Sequence, residues 1–362
     1  MTIRKPNTEL RKGWTTGACA ALATSAAFRA LHTGVFPQMV QITLPKGQTP
    51  NFELLQHELT NGGAIASVIK DAGDDPDVTH EAEIIAEVRL SEPGYGVRFF
   101  GGHGVGTVTL PGLPLAVGEP AINPGPRAMI KTAINDICND LNVAGDVDVT
   151  ISIPGGEQLA LKTMNGRLGI KGGLSVLGTT GIVIPYSCSS WIHSIHRGVD
   201  VAKAAGITHM AAATGSTSEA AIAMHYNLPD QALIDMGDFA GGLLKYLRKQ
   251  SINHLTIAGG FVKISKLAQG HLDLHSSRSQ LDLNDLAKRA KTAGAENDLC
   301  EEIRSANTGM EVLNLCNTSQ ISIANMMASG ACEVAMATLS GGTKINVMIF
   351  DRRGKLVGRS DG

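Results

Sequence analysis

The chain has 362 residues and a formal net charge of -2, without a long run of either sign, which excludes a polyanion-binding surface and a polybasic membrane patch. Aromatic residues make up only 4% of the chain, so base-stacking surfaces are not expected and nucleic acid is excluded as a partner. The length predicts two domains, and 43% hydrophobic residues suffice for packed cores.

The sequence shows no targeting or membrane-spanning signal. Its N-terminal stretch, MTIRKPNTELRKGW, has no apolar core, and no apolar run approaches the roughly 20 residues that span a bilayer. Six cysteines are scattered without a C-x-x-C pair, which is typical of reduced thiols. We therefore expect a cytoplasmic protein without structural zinc or membrane contact.

The first part of the chain is predicted to be α+β. The alanine-rich stretch GWTTGACAALATSAAFRALHTG predicts a helix that Thr15 or Thr16 caps and Gly34 ends. A second helix is expected over PRAMIKTAINDICNDL, and DVDVTISIPGGEQLALKT reads as a hairpin that closes on its Gly-Gly turn. Short segments rich in β-formers predict a sheet: MVQITLP, FELLQHEL, GAIASVIK, AEIIAEVRL and VGTVTL.

A glycine-rich passage, NGRLGIKGGLSVLGTTG, marks the predicted boundary between domains 1–178 and 179–362. Beyond it, apolar strands alternate with glycine-containing turns and amphipathic helices, which is typical of a doubly wound, mainly parallel sheet. Further helices near 282–304 and 319–338 and a last strand, KINVMIFD, complete the second domain. For the last segment, the sequence allows two positions: in the second domain or back in the first.

Three strand-end turns of the second domain, ATGSTSE, MGDFAGG and AGGFVK, are expected at one edge of its sheet. Ligands of such sheets bind beyond the carboxyl ends of the strands. Asp238 could accept hydrogen bonds from ribose hydroxyls, or it could simply cap a helix. No turn has the G-x-G-x-x-G pattern of a dinucleotide site. The glycines that would let a nucleotide-like cofactor approach the backbone are Gly215, Gly237, Gly259 and Gly260.

The stretch KDAGDDPDVT, residues 70–79, concentrates four aspartates behind one lysine. Its spacing fits no calcium loop, and the histidine pairs of the chain lack a third ligand, so no metal site is predicted. Turn formation explains part of the stretch, because Asp side chains bond nearby backbone amides. Four carboxylates within seven residues repel one another, which indicates that some are paired, protonated or functional.

Five irregular blocks in order give the chain a resemblance to the CbiD family of cobalt-precorrin-5B C(1)-methyltransferases. The resemblance extends over nearly the whole chain, although Leu274 and the ATGSTSE turn depart from the pattern and indicate a subgroup. It implies an α+β domain joined to a Rossmann-like, three-layer α/β/α domain. The blocks are LRKGWTTGACAALA, KDAGDDPDVT, GGHGVGTVTLPGL, GEPAINPGPRAMI and NGRLGIKGGLSVLGTTGIVIP.

The resemblance implies S-adenosylmethionine as methyl donor and an anionic, ring-contracted tetrapyrrole as acceptor. Cobalt would belong to the substrate, so no protein-bound metal is expected. A homo-oligomer and transient contacts with other corrin-pathway enzymes are compatible with this reading. The opposing hypotheses are a non-enzymatic tetrapyrrole carrier and a nucleotide-binding regulator, and the missing P-loop counts against the regulator.

Methyl transfer from a sulfonium is an in-line displacement, so positioning dominates. The acetate and propionate groups of the substrate need cationic and amide donors, for which the start of the first helix is suited. One of Asp71, Asp74 and Asp75 is the predicted general base or amino-group ligand. The donor side is assigned the four strand-end glycines, Asp238 and Lys266. The predicted substrate-binding residues are Lys12, Thr15, Thr16, Gly17, Lys70, Arg127 and Lys171.

Overall fold

A computed structural model describes residues 10–360 and divides the chain into two compact units, Met1–Ser187 and Cys188–Gly362. No helix within the described residues is long and apolar enough to cross a membrane. The elements of the first unit, in chain order, are β1 (Gly13–Trp14), α1 (Thr16–Thr33), β2 (Met39–Gln41), β3 (Asn51–Glu53), β4 (His57–Thr60), β5 (Gly63–Ile69), β6 (Glu83–Leu90), β7 (Val97–Gly101), β8 (Thr107–Val108), α2 (Pro124–Leu141), β9 (Val147–Ser152), α3 (Gly156–Ala160), β10 (Ile170–Lys171) and β11 (Ile182–Val183).

The main sheet of the first unit has the strand order β4-β5-β6-β9-β7, with only β7 and β9 parallel. Buried and half-buried residues alternate along β6 and β9, as expected of strands with one face on a core. Helix α1 packs against β5, β6 and α2 in this core. Its alanines are nearly all inaccessible, since small side chains let the helix lie close to its neighbours.

The cap prediction for α1 is confirmed. The hydroxyl of Thr15 accepts a hydrogen bond from the amide of Ala18, and Gly34 has a left-handed φ of 73°. The hairpin predicted over residues 146–163 is wrong: only β9 forms, between β6 and β7, and the chain turns at Gly155 into α3. The sequence FELLQHEL also forms two strands, β3 and β4, instead of one.

The second unit alternates strands and helices as predicted. Its elements, in chain order, are α4 (Cys188–Ala204), β12 (His209–Ala213), α5 (Ser216–Tyr226), β13 (Leu233–Asp235), α6 (Ala240–Leu247), β14 (His254–Gly259), α7 (Phe261–Ala268), α8 (Leu283–Thr292), α9 (Asn297–Ser305), α10 (Gly309–Thr318), α11 (Ile323–Leu339), β15 (Lys344–Phe350) and β16 (Leu356–Arg359). A single 3-10 turn, Asp230–Ala232, precedes β13.

The sheet of this unit has the order β13-β12-β14-β15-β16, in which the first four strands are parallel and β16 is antiparallel. Alternate residues of β12 and β14 enter two different apolar clusters. The larger cluster includes α4, α6 and α7, and the smaller one includes α5, so helices cover both faces of the sheet. Burial on both faces explains why β12 and β14 are apolar almost throughout.

The helix predicted near 282–304 is two helices, α8 and α9, because Gly294 with φ 94° lies between them. Residues 344–359 pair within the sheet of the second unit, whereas the sequence left the last segment free to return to the first domain. Helices α4 and α10 and strand β16 were not predicted. The apolar residues Ile192, Ile195, Val199 and Ala202 of α4 do follow a helical period, and that signal could have located it.

Candidate functional site

The three predicted catalytic aspartates of the first unit accept hydrogen bonds from backbone amides of the same unit. Asp71 forms a bidentate ion pair with Arg11 and accepts a hydrogen bond from the amide of Gly73 at 2.9 Å. The hydrogen bond from Arg11 lowers the pKa of Asp71 and outweighs the opposing effect of burial. Asp74 accepts from the amide of Arg11 at 2.7 Å, and Asp75 accepts from the amide of Tyr186 at 2.8 Å. The stretch thus fastens residues near 11 and 186 to one loop.

Lys70 is buried in the same stretch, with only 1% of its surface exposed. Its ammonium group donates to a carboxylate oxygen of Asp77 and to the hydroxyl of Thr79 at 2.6 Å. The other oxygen of Asp77 accepts from the amide and hydroxyl of Thr79. The predicted contact of Lys70 with a substrate carboxylate does not fit this geometry, because the ammonium is enclosed and already paired.

Of Thr15, Thr16 and Gly17 at the start of α1, the first and the last have amides that are already paired, which corrects the premise of a free helix start. The amide of Thr15 donates to the carbonyl of Gly181 at 2.9 Å, and that of Gly17 donates to the carbonyl of Leu177 at 3.0 Å. All three residues are buried. These contacts serve the fold, and contact of the three residues with substrate stays a prediction.

The remaining predicted substrate ligands of the first unit differ in accessibility. Lys12 and Lys171 are exposed. Arg127 is half-buried: its Nε donates to the carbonyl of Ile122 at 2.7 Å, and one terminal nitrogen lies 3.2 Å from a carboxylate oxygen of Glu119. Lys12 and Lys171 are thus accessible and Arg127 is anchored, and contact of these three residues with a substrate stays a prediction.

The second unit brings the predicted strand-end residues to one sheet edge. Gly215 follows β12, Gly237 follows β13, and Gly260 lies between β14 and α7. A Cβ atom at Gly215 or Gly260 would meet nothing within 4 Å, whereas one at Gly259 would lie 2.7 Å from the Thr214 hydroxyl. The backbone at Gly215 and Gly260 is thus open to a ligand. At Gly259 a side chain would instead overlap the packed side chain of Thr214.

Asp238 is not the N-cap of α6, since Phe239 occupies that position. One carboxylate oxygen of Asp238 lies 2.9 Å from the Nζ of Lys263, yet this buried oxygen accepts no aligned hydrogen bond. Lys263 also donates to the carbonyl of Thr214 at 3.0 Å, so it connects the ends of β12 and β13. The sequence reasoning missed Lys263, although its place in the first turn of a helix after Gly259 and Gly260 could have indicated it.

Lys266, on the next turn of α7, is 5% exposed and donates to the carbonyl of Leu274 at 3.1 Å. Burial lowers the pKa of its ammonium group, and the charge of Asp238 offsets part of that effect. The amide of Leu274 in turn donates to the carbonyl of Asp238 at 2.8 Å. Lys266 thus holds the segment 271–275 beside the strand ends, and its own side chain is buried.

The strand ends can bind an anion and a diol. The first amides of α7 have no intrahelical acceptor, and Gly260 supplies no side-chain cap. With Lys263 beside them, they are suited to a carboxylate. The Asp238 oxygen without a hydrogen bond is suited to a hydroxyl donor. Within residues 10–360, no group of three or more His, Cys, Asp or Glu side chains could hold a metal ion.

Comparisons with known proteins place two family models on the chain: CbiD over residues 3–185 and CbiD, C-terminal domain, over residues 273–361. A Brucella canis protein named cobalt-precorrin-5B C(1)-methyltransferase is 56% identical over 97% of this chain and 96% of its own length. A Brucella anthropi protein of the same name is 55% identical over the same shares. A crystal structure described as cobalamin biosynthesis protein (CbiD) from Archaeoglobus fulgidus is 27% identical, covers 70% of this chain and 79% of its own, and has a TM-score of 0.39.

Proposed function

Since this chain belongs to the CbiD family, we propose that it transfers a methyl group to ring carbon C1 of cobalt-precorrin-5B in cobalamin biosynthesis, with S-adenosylmethionine as donor. The observation that carries the proposal is 56% identity over 97% of the chain to a protein named for that reaction. The product would be cobalt-precorrin-6A.

The second unit is the proposed donor side, and a Rossmann-like, three-layer arrangement of its sheet and helices is part of the proposal. A nucleoside needs an acceptor for its ribose hydroxyls, and Asp238 offers a buried oxygen without an aligned hydrogen bond. The open backbone at Gly215 and Gly260 leaves room for the ligand. The donor's amino-acid carboxylate is assigned to Lys263 and the first amides of α7. The supporting residues around this proposed site are Gly237, Gly259 and Lys266.

The donor supplies an electrophilic methyl group, so the protein's task is to hold the acceptor carbon in line with it at about 3 Å. We assign Lys12, Lys171 and Arg127 to the carboxylates of the macrocycle, as charge-assisted partners. Residues 1–178 are the proposed substrate domain and residues 179–362 the proposed donor domain.

The acidic stretch has a positioning role in this proposal, because its carboxylates fasten the chain around Lys12. An acid-base role for Asp71, Asp74 or Asp75 stays a prediction. If Asp74→Asn and Asp75→Asn each keep full methyl transfer and native stability, both roles are contradicted for these two residues. Loss of turnover with unchanged donor affinity would support them.

The decisive experiment is anaerobic incubation of the protein with cobalt-precorrin-5B and methyl-labelled S-adenosylmethionine, followed by mass analysis of the tetrapyrrole. We expect one labelled methyl group at C1. A tetrapyrrole that binds without acquiring the label would contradict the proposal and favour a carrier. The same assay with a metal-free ring tests whether cobalt must be present.

The donor side is tested by Asp238→Asn and Lys263→Met, with the exposed Asp230→Asn and Lys245→Met as matched controls. A hydrogen bond to a charged group contributes about 1.5–3 kcal/mol, so we expect Asp238→Asn to weaken binding of S-adenosylhomocysteine roughly tenfold to a hundredfold. Unchanged affinity for S-adenosylhomocysteine in both site variants would contradict the assignment of the donor to this edge of the sheet. A cytoplasmic location, a homo-oligomer and contacts with other corrin-pathway enzymes stay predictions.

A further inference from the structure

Trp191 lies near the start of α4, beside the end of β13. Its indole N–H donates to the carbonyl of Asp235 at 3.2 Å. A Cβ atom at Gly237 would lie 3.4–3.5 Å from three atoms of the ring, so the indole packs on the backbone of that glycine. The ring of Phe239 lies 6.4 Å away in a tilted arrangement. These contacts fix the position of the indole at the strand end.

Trp191 is nevertheless 47% exposed. The Nε1 atom already has its partner, so the exposed part is mainly the apolar ring surface. Aromatic rings that are held in place and left open stack readily on other flat rings. The proposed donor contains one such ring, adenine.

The contacts around Asp238 relate the proposed ribose site to the indole of Trp191. Asp238, the proposed ribose ligand, directly follows Gly237, against which the Trp191 indole lies, and its carboxylate contacts Lys263. In a nucleoside the base is attached to the carbon next to the one that bears the 2′-hydroxyl. With the ribose at Asp238 and the amino-acid carboxylate at Lys263, the indole against the neighbouring Gly237 offers the base a flat apolar surface at the same strand end.

We infer that Trp191 is the platform on which the adenine ring of the methyl donor stacks. The inference rests on the proposed function, because it takes the strand ends as the donor site. Gly237 has a second part in it: its φ of 56° is a conformation that residues with side chains rarely adopt, and the indole lies in van der Waals contact with the position its Cβ would take. The stacking gives affinity without base-specific hydrogen bonds.

The first test is calorimetric titration of the full chain with S-adenosylhomocysteine. Stacking on an aromatic ring is worth enough that Trp191→Leu should weaken binding by about tenfold, whereas Trp191→Phe, which keeps a flat ring, should lose much less. The exposed Met224→Leu serves as the control in the same unit and should not change affinity. Circular dichroism and thermal unfolding establish that each variant is folded.

The second test uses fluorescence, because the sequence contains only two tryptophans, Trp14 and Trp191. In a Trp14→Phe background Trp191 is the sole indole. We expect S-adenosylhomocysteine to quench it and homocysteine, which lacks the base, to leave it unchanged. This readout needs no change at Trp191 itself, so it decides the question even if Trp191→Leu does not fold.

The outcomes separate the inference from the function on which it rests. If the unaltered protein binds no S-adenosylhomocysteine, the donor assignment fails and the inference fails with it. If the ligand binds but neither quenches Trp191 nor loses affinity in folded Trp191→Leu, the inference alone is overturned. Quenching by the tetrapyrrole and not by S-adenosylhomocysteine would overturn it as well, since the ring would then face the acceptor.

Discussion

The ion pair between the buried Lys70 and the half-buried Asp77 stabilises the first unit. The ammonium of Lys70 is almost completely enclosed, and Asp77 is its charged partner. Removing one member of a buried pair leaves an uncompensated charge and costs about 3–5 kcal/mol. We therefore expect Asp77→Ala to lower the free energy of unfolding by an amount of that order, measured by urea denaturation.

The double variant Lys70→Met, Asp77→Ala is the control for that measurement. It removes both charges, so it should recover much of the loss. If Asp77→Ala alone is as stable as the unaltered protein, Lys70 has another partner in solution and the structural role assigned to it is contradicted.

The same aspartate adds a pH dependence. Burial alone would raise the pKa of Asp77, but the charge of Lys70 and the hydrogen bonds from Lys70 and Thr79 lower it on balance. A carboxyl with a lowered folded-state pKa stabilises the fold above its ordinary pKa of 3.8, and this contribution is lost as the pH falls through the folded-state value. Urea unfolding on either side of about pH 4 should show this loss, and the double variant should lack it.

At the scale of elements, two histidines stack at the beginning of β12 and β14. The rings of His209 and His254 lie 3.9 Å apart and nearly parallel. The Nε2 of His209 lies 2.8 Å from the hydroxyl of Thr256, and that of His254 lies 2.7 Å from the amide oxygen of Asn346. The hydroxyl of Tyr226 on α5 accepts a hydrogen bond from the amide nitrogen of Asn346 at 3.0 Å. Burial, and then the charge of His254, lowers the pKa of His209 to about 4.

The second unit should therefore lose stability in mild acid. Between the ordinary pKa of 6.5 and about 4, the unfolded chain binds a proton that folded His209 does not, so the free energy of unfolding falls as the pH falls. Urea denaturation at about pH 7 and about pH 5 measures this slope. We expect His209→Asn to flatten it, while the exposed His275→Asn should retain it. A slope that is the same in all three proteins would contradict the assignment.

A turn before β8 depends on Gly104. Its φ is 75°, and a Cβ atom there would lie 1.9 Å from the carbonyl oxygen of Ile153. Gly118 has a similar φ of 92°, but a Cβ atom there would meet nothing within 4 Å. Gly118→Ala therefore costs only the backbone strain, about 1–2 kcal/mol, without a steric overlap. Gly104→Ala should lose more than about 4 kcal/mol or fail to fold, as judged by solubility and urea denaturation. Equal effects of the two substitutions would show that the close approach is not needed.

Sequence periodicity predicted these elements unevenly. Helix α1 was recognised because it is rich in alanine and has a cap and a terminal glycine, and α2 because its apolar residues recur at helical spacing. The strand β9 was mistaken for half of a hairpin because local sequence does not say that its partners are β6 and β7. The acidic stretch was expected to need partners, yet those partners, Arg11 and Tyr186, are 60 and 111 residues away from Asp71 and Asp75.

At the scale of the whole molecule, the two compact units each have a core of their own. S-adenosylhomocysteine at saturating concentration should protect amides of residues 209–275 from hydrogen exchange and should stabilise the second unit. At a hundred times its dissociation constant a ligand stabilises by about 2.7 kcal/mol. Asp238→Asn should weaken this protection at equal ligand concentration. Protection confined to residues 10–187 would place the donor in the other unit.

The sequence by itself determined the family, the class of elements in each half and the strand-end residues of the second unit, because long motifs, periodicity and glycine turns are local properties of the chain. The tertiary structure alone decided which polar side chains are available. It enclosed Lys70, paired the amides of Thr15 and Gly17 internally and gave each of three aspartates a backbone amide. It also brought Lys263 beside Asp238 and fixed Trp191 on Gly237. These facts depend on contacts between residues far apart in sequence, which local patterns do not encode.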